Sequence, residues 1–451
     1  MKKASVHTLG CKLNFAETST IAKQLREEGF ELVDMSVQSD LFVLNTCSVT
    51  ERADRECRQI IRRVRRQSPN AYVVVMGCYA QLQPEVIASI DGVDLVLGTN
   101  EKFDLFAFAD VRRKEPVPRI HVSSIAGAES AAMASSADSS ERTRVFLKIQ
   151  DGCDYGCAFC TIPLARGASR SVPMADILAQ VCAAARGGYK EIVLTGVNVG
   201  DYGKKRGLSL LRLLEDIVRV EGIERIRISS IEPNLLDDEL MDFWLEEPKL
   251  CKHFHIPLQS GNDRTLRSMR RRYLTDFYAN RVQRIVSHSP NVGIGADVLV
   301  GFPGETDELF EQTYQFMRDL PLTYFHVFTY SERPNTPAIG FGNKVEPRIR
   351  AERSERLRML GKRKRRAFHD SLVGRTCQVL FESEIGNDWA SGLTEEYARV
   401  VVKSVSTLVN QILPVQILEA RNDKCIGILP DGEISMEHST RNSSCEVMPA
   451  I

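Results

Sequence analysis

Three cysteines, Cys153, Cys157 and Cys160, stand in the run DGCDYGCAFC with C-x3-C-x2-C spacing. Thiolates are soft ligands suited to iron–sulfur clusters. Three of them fill three corners of a 4Fe–4S cube and leave one iron open. An open iron can take a chelating substrate, which a purely electron-carrying cluster does not need. Zinc is the competing reading, but a structural zinc expects four protein ligands, commonly as two C-x2-C pairs. Neither a second such pair nor paired histidines lie nearby in the sequence.

A second set is dispersed. Cys11, Cys47 and Cys78 each close an apolar run: SVHTLGC, DLFVLNTC and YVVVMGC. Strand C-termini of an open α/β sheet lie along one edge, where ligands bind. Three cysteines delivered there can converge on a single cluster, again with an open iron. The alternative is three small apolar side chains in a core. Cys182 falls on an apolar helical face and Cys57 in a basic helix. Cys251, Cys377, Cys425 and Cys445 have no partner at ligand spacing, so none of these is assigned a function.

The chain carries 12 cysteines in 451 residues. It has no run of about 18 apolar residues, so no membrane-spanning helix is expected. MKKASVHTLGC lacks the apolar core of a secretory signal, so the expected compartment is the cytoplasm. Disulfides rarely persist there, which favours ligation for some of the cysteines. Net charge is +0, yet residues 52–66 hold seven Lys/Arg against two acids, and residues 344–378 hold twelve against four. Arg62, Arg63, Arg65 and Arg66, and the stretch Lys362, Arg363, Lys364, Arg365 and Arg366, are candidate RNA-phosphate contacts. Such contacts orient a nucleic acid without reading its sequence. A solvated helix face is the alternative.

The fold class expected to position these groups is α/β. Residues 1–115 alternate buried strands with helices, which indicates a parallel sheet. One helix places Ile21, Ala22 and Leu25 on a face, stops at Gly29, and starts at Asn14 with Glu17 three residues on, like a capping box. Residues 116–144, rich in Ser and Ala, read as a flexible linker. Residues 145–370 repeat strand-then-helix units and end in a basic connector helix. Strand candidates are VFLKIQ, EIVLTGV, RIRISSI, HFHIP, VGIGADVLVG and TYFHVFT. These predict a partial or complete (β/α) barrel with its active site on loops after the strands. Residues 371–435, with TCQVLFESE, YARVVVKS and LPVQILEA, read as a small all-β barrel. Residues 436–451 read as a frayed tail.

Taken together, these motifs resemble a known family. DGCDYGCAFC looks like the cluster motif of the radical S-adenosylmethionine superfamily. HTLGCKLN, NTCSVT and GCYAQ resemble the N-terminal domain of its methylthiotransferase branch. IPLARGASRS, LTGVNVGDYG, HIPLQSGNDRTLRSM and GFPGET match further stretches of that branch, and GLTEEYARVVV resembles its RNA-binding TRAM domain. TLGCKLN, with QDGCDYGCAFCTIPLARG, is most similar to the enzymes acting on threonylcarbamoyladenosine beside the tRNA anticodon. Lys12 is the distinguishing residue: isopentenyladenosine enzymes usually carry Gln there, and ribosomal-protein enzymes Pro. Leu13 and Ala158 depart from the commonest form.

The resemblance implies two 4Fe–4S clusters and S-adenosyl-L-methionine. The Cys153/Cys157/Cys160 cluster would bind S-adenosylmethionine at its open iron and generate the radical that takes hydrogen from carbon two of adenine. The Cys11/Cys47/Cys78 cluster would present the sulfur. Gly196, Glu232, Gln259, Ser260 and Gly301 become candidate cofactor-binding residues, with an ordinary loop role as each one's alternative. Gly304 and Glu305 would shape the last cofactor loop. The partners expected are tRNA, a reducing electron donor and a sulfur donor; no membrane is involved, and a monomer is expected. The rival readings are the same chemistry on isopentenyladenosine tRNA or a ribosomal protein, and, further off, a non-catalytic iron–sulfur or zinc RNA-binding protein.

Overall fold

A computed structural model of the chain describes residues 2–430 apart from 110–113, 115–116, 129–130, 138–142, 387 and 405. The expected tail 436–451 and Cys445 lie outside the described residues.

The first sheet contains β1 (Lys3–Thr8), β2 (Glu31–Leu32), β3 (Leu41–Thr46), β4 (Tyr72–Gly77), β5 (Leu95–Leu97) and β6 (Arg119–His121). Their order is β2-β1-β3-β4-β5-β6, and every pairing is parallel. All residues of β3 and β4 are buried, because helices cover both faces. Helix α1 (Lys12–Glu27) sets Ile21 and Leu25 against Leu41, Val43 and Val74. Helix α2 (Glu51–Gln67) sets Ile61 and Val64 against Phe42, Leu44 and Val75 on the other face. The alternation of side chains along each strand makes the two cores complementary.

The central unit holds β7 (Ala134–Ser135), β8 (Arg144–Lys148), β9 (Gln150–Asp151), β10 (Arg170–Ser171), β11 (Glu191–Thr195), β12 (Arg225–Ile228), β13 (His253–His255), β14 (Gly293–Val300) and β15 (Tyr324–Thr329). One sheet runs β12-β11-β8-β7 and a second runs β13-β14-β15. A bridge from Ile226 to Leu250 joins them on the β12 side. The six strands β8, β11, β12, β13, β14 and β15 are parallel neighbours and curve into a barrel left open between β8 and β15. The connector is a helix over Pro347–Leu372, and Leu357 and Leu360 seat it on the barrel core beside Phe325.

The last unit is a closed five-stranded barrel of β16 (Thr376–Ile385), β17 (Trp389–Thr394), β18 (Arg399–Lys403), β19 (Ile412–Ala420) and β20 (Cys425–Ile428). Strands β17 and β20 escape sequence reading. WASGLT carries Gly392, whose added Cβ would lie 2.3 Å from the Leu380 carbonyl oxygen, so close strand approach rather than hydropathy selects it.

Two local expectations are corrected. Within 116–144, expected to be flexible, Arg119–His121 completes the first sheet and Ala134–Ser135 pairs with β8. Short polar strands at sheet edges leave little hydropathy signal. The Asn14–Glu17 capping box does not form: α1 begins at Lys12, and Cys11 at its N-cap makes no side-chain cap. Both residues are instead buried and bonded across the molecule.

Candidate active site

Strands β1, β3 and β4 are neighbours, so the residues after them emerge at one sheet edge. Cys47 and Cys78 directly follow β3 and β4, and Cys11 follows β1 after a turn at Gly10. Gly10 has φ +104, and a Cβ there would lie 2.7 Å from Cys47 Cβ. The turn therefore needs glycine both for its backbone and to let the Cys11 and Cys47 loops close together. Burial pushes the Cys47 thiol up to about 12, with the nearby Cys78 and Cys11 adding to it.

The second triplet lies on the loop after β8 and β9. Cys153 Sγ accepts from Tyr155 N at 3.4 Å, and Cys160 Sγ accepts from Ile162 N at 3.4 Å. Arg271 Nη1 donates to Cys157 Sγ at 3.1 Å. Burial pushes the Cys153 and Cys160 thiols up to about 12. Among the described residues no three His, Cys, Asp or Glu side chains gather tightly enough to hold a single metal ion. A 4Fe–4S cube spreads its corner sulfurs more widely than a single ion does. Amide and guanidinium donors aimed at sulfur are the outer-shell groups that a thiolate-bound cluster uses, so the donor set fits an iron–sulfur cluster.

Between the triplets lies a buried ionic network that the sequence reading missed. Arg166, six residues past Cys160, donates through Nη1 to Glu17 Oε1 at 3.0 Å and Asp151 Oδ1 at 2.9 Å. Its Nη2 donates to Glu17 Oε2 at 3.1 Å and Asn14 Oδ1 at 2.6 Å. Asn14 Nδ2 in turn donates to the carbonyls of Leu9 and Thr46, which flank Cys11 and Cys47. On the other side, Asp151 Oδ1 accepts from Gly152 N at 2.9 Å, next to Cys153. Lys102 Nζ and Lys148 Nζ reach Glu17 Oε1 at 2.7 and 2.9 Å. Burial alone would raise the Glu17 carboxyl, but Arg166, Lys102 and Lys148 hold it well below the usual carboxylate range. With Arg170 Nη2 3.8 Å from Asp151, four cations face two carboxylates, and the positive charge of Arg166 acts on Cys11 and Cys78. A second buried pair, Arg333 Nη2 to Asp54 Oδ2 at 2.5 Å and Ser48 Oγ at 2.7 Å, ties the loop after β15 to the residue beside Cys47. The available signal was a set of charged residues embedded in apolar runs, as Arg166 is in IPLARG.

The candidate cofactor-binding residues fall into different roles. A Cβ on Gly196 would lie 2.9 Å from Gln150 Oε1, so its bareness lets Gln150 reach Asn198 N at 2.8 Å. Glu232 pairs with Arg271, the donor to Cys157, and so steadies it. Gln259 adopts φ +66, and its carbonyl accepts from Leu299 N at 2.9 Å. Ser260 is buried with Oγ 3.2 Å from Thr313 Oγ1, so it braces a helix. Gly301, at φ +75, donates its N–H to Glu305. Gly304, at φ +85, has open space where a Cβ would stand.

The basic stretches also divide. On α2, Arg62, Arg63, Arg65 and Arg66 are exposed, and among the described residues only Arg65 of the four forms an ion pair, with Asp91. On the long helix, Arg363 bonds Tyr314 Oη, Arg366 pairs with Asp370 at 2.9 Å, and Lys364 bonds the Leu320 carbonyl. Arg365 lies over the Tyr324 ring at 5.9 Å, and Lys362 is exposed. Among the described residues no helix is long and apolar enough to cross a membrane.

A cysteine triplet on the loop after the first strand of an open parallel barrel, beside a second α/β unit, defines a radical S-adenosylmethionine fold. Residues 147–317 match the model of the Radical SAM superfamily, and residues 3–98 match that of Uncharacterized protein family UPF0004. The chain is 38% identical to the threonylcarbamoyladenosine tRNA methylthiotransferase MtaB of Bacillus subtilis, over 93% of this chain and 94% of that one. It is 33% identical to tRNA-2-methylthio-N(6)-dimethylallyladenosine synthase of Wolinella succinogenes, over 94% and 99%. Among solved structures, the radical S-adenosylmethionine methyltransferase TsrM of Kitasatospora setae, with cobalamin and a [4Fe-4S] cluster bound, aligns with TM-score 0.51 at 17% identity, covering 75% of this chain and 77% of that one. That last likeness concerns the fold alone. The chain belongs to the radical S-adenosylmethionine tRNA methylthiotransferase family and is an enzyme.

Proposed function

We propose that this enzyme inserts a methylthio group at carbon two of N6-threonylcarbamoyladenosine next to the tRNA anticodon. The observation that supports it most directly is the pair of cysteine triplets joined through Arg166 and Asn14. The MtaB relatives carry that substrate in their names. Cys153, Cys157 and Cys160 would hold one 4Fe–4S cluster and Cys11, Cys47 and Cys78 a second. When bound, the clusters and S-adenosylmethionine supply a radical able to open carbon two of adenine and a sulfur to fill it. The protein's share is position and exclusion of water. Arg271 steadies the Cys157 sulfur, and Glu232 holds Arg271. The exposed arginines of α2 would grip tRNA phosphates. The reaction would take place in the cytoplasm on a monomer, with external electron and sulfur donors. Labour would divide among residues 1–115 for sulfur, 145–370 for the radical and 371–435 for RNA.

The decisive experiment is mass spectrometry of tRNA nucleosides from cells lacking the protein. The methylthio group should vanish from threonylcarbamoyladenosine and stay on isopentenyladenosine. The reverse pattern would instead support a dimethylallyladenosine enzyme, the activity named for the Wolinella succinogenes relative.

A further inference from the structure

The wall of the barrel lumen is set by strand alternation. On β15, Phe325 and Val327 pack outward on the barrel core, so Tyr324, His326 and Phe328 face inward. His326 is exposed and Phe328 is 43% exposed, so the lumen beside them is open. Across the β14 register lies Asp297, opposite His326. Lys12, the first residue of α1 and directly after Cys11, reaches this region, close enough for its charge to act on Asp297 and His326. Its Nζ lies 5.6 Å over the ring of Tyr397, which stacks on His253 at 4.7 Å.

The charges in this lumen do not balance locally. Arg227 pairs with Glu191 at 2.9 Å, and Arg144 pairs with Glu382 at 2.6 Å. Asp297 is engaged by His255 Nε2 at 3.1 Å. Among the described residues, Lys12 Nζ has neither a hydrogen-bond acceptor nor a carboxylate at ion-pair distance, only the Tyr397 ring. A partly buried ammonium without an anion is costly, and a bound anion offsets that cost. The threonylcarbamoyl substituent keeps the carboxylate of threonine; an isopentenyl group has no charge at all.

We infer that Lys12 is a specificity-determining residue that pairs with the carboxylate of the substrate's N6 substituent, while the exposed Phe328 face offers a surface for the base. This rests on the substrate reading above and adds the contact that distinguishes an acidic substituent from an apolar one. Lys12 follows a proposed cluster ligand, so a supporting role for the cluster is the rival account.

The test uses the full-length reconstituted enzyme and three anticodon stem-loops. One carries N6-threonylcarbamoyladenosine, one its methyl ester, and one isopentenyladenosine. Wild type should favour the acid over the neutral ester by about tenfold to a hundredfold in kcat/KM, the range of one charge-assisted contact. The same preference should appear in binding measured without reductant. Lys12→Gln should lose that preference while keeping its iron and its substrate-free cleavage of S-adenosylmethionine, and Lys12→Arg should restore most of it. No preference for acid over ester in wild type overturns the inference, whether or not the variants fold. Loss of iron in Lys12→Gln with the preference intact in the remaining loaded enzyme also overturns it. If wild type methylthiolates only the isopentenyl stem-loop, the substrate reading fails first and this inference with it.

Discussion

Arg166 grips both carboxylate oxygens of Glu17, at 3.0 and 3.1 Å, across 149 positions of sequence. The fork joins the short helix Ile162–Arg166 beyond Cys160 to the helix that begins beside Cys11. A planar guanidinium fixes both distance and orientation, whereas an ammonium fixes only charge. Arg166→Lys should therefore keep S-adenosylmethionine cleavage but lower the methylthio product formed per cofactor cleaved. Arg166→Ala, which removes the bidentate partner of Glu17 but leaves both carboxylates facing Lys148, should destabilise the fold by about 1.5–3 kcal/mol. Product-to-cleavage ratios and thermal melting separate the two effects. Unchanged coupling in a folded Arg166→Lys enzyme would remove Arg166 as the link between the triplets.

The two triplets should fail differently. Cys153→Ala should abolish cleavage of S-adenosylmethionine. Cys47→Ala should retain some cleavage yet produce no methylthiolated tRNA. The check is an anaerobic assay of 5′-deoxyadenosine beside nucleoside analysis. A well-folded Cys47→Ala enzyme without any cleavage would contradict separate tasks.

Arg62, Arg63 and Arg66 stand exposed on α2, with no ion pair among the described residues. Replacing all three with Gln should raise KM for tRNA and leave kcat nearly constant. The salt dependence of binding should flatten by about one unit of log–log slope for each phosphate that is no longer neutralised. An unchanged salt slope would return these arginines to an ordinary solvated helix face.

Glu305 carries a pH signature. Burial pushes its carboxyl from 4.5 up to about 7, and the opposing Arg353 and Gly301 N–H do not cancel that. The unfolded chain therefore loses this proton first as pH rises. Stability from the protonated group is complete below 4.5 and is lost as pH climbs through about 7. The effect is on the order of 3 kcal/mol at most. Glu305→Gln should flatten that part of a chemical-denaturation profile across pH; a profile identical to wild type would show that Glu305 titrates normally.

Strands β3, β4, β8, β11 and β14 were legible because both faces are buried and the runs are mostly apolar; the short strands β2, β5, β6 and β7 were not. The cysteines were legible because their spacing and strand-end positions are local. The network of Asn14, Glu17, Lys102, Lys148, Asp151 and Arg166 was not. Each residue looks like an ordinary surface polar or charged group, and burial becomes sensible only when partners distant in sequence meet. Asn14 and Glu17 show the competition directly: a plausible local cap is overridden by tertiary bonds of greater strength. Likewise Lys364 and Arg365, which read as RNA contacts, are turned toward Leu320 and Tyr324.

One loop has a wider consequence. Arg227 on β12 donates to the carbonyls of Glu395 and Thr394, and the turn they begin carries Tyr397 to the lumen. The C-terminal barrel thus stoppers the lumen of the central barrel, and under the proposed function it would also be a handle for RNA. Exchanging it between relatives would alter the lumen as well as the proposed RNA contact, so under that function grip and chemistry would have to evolve together.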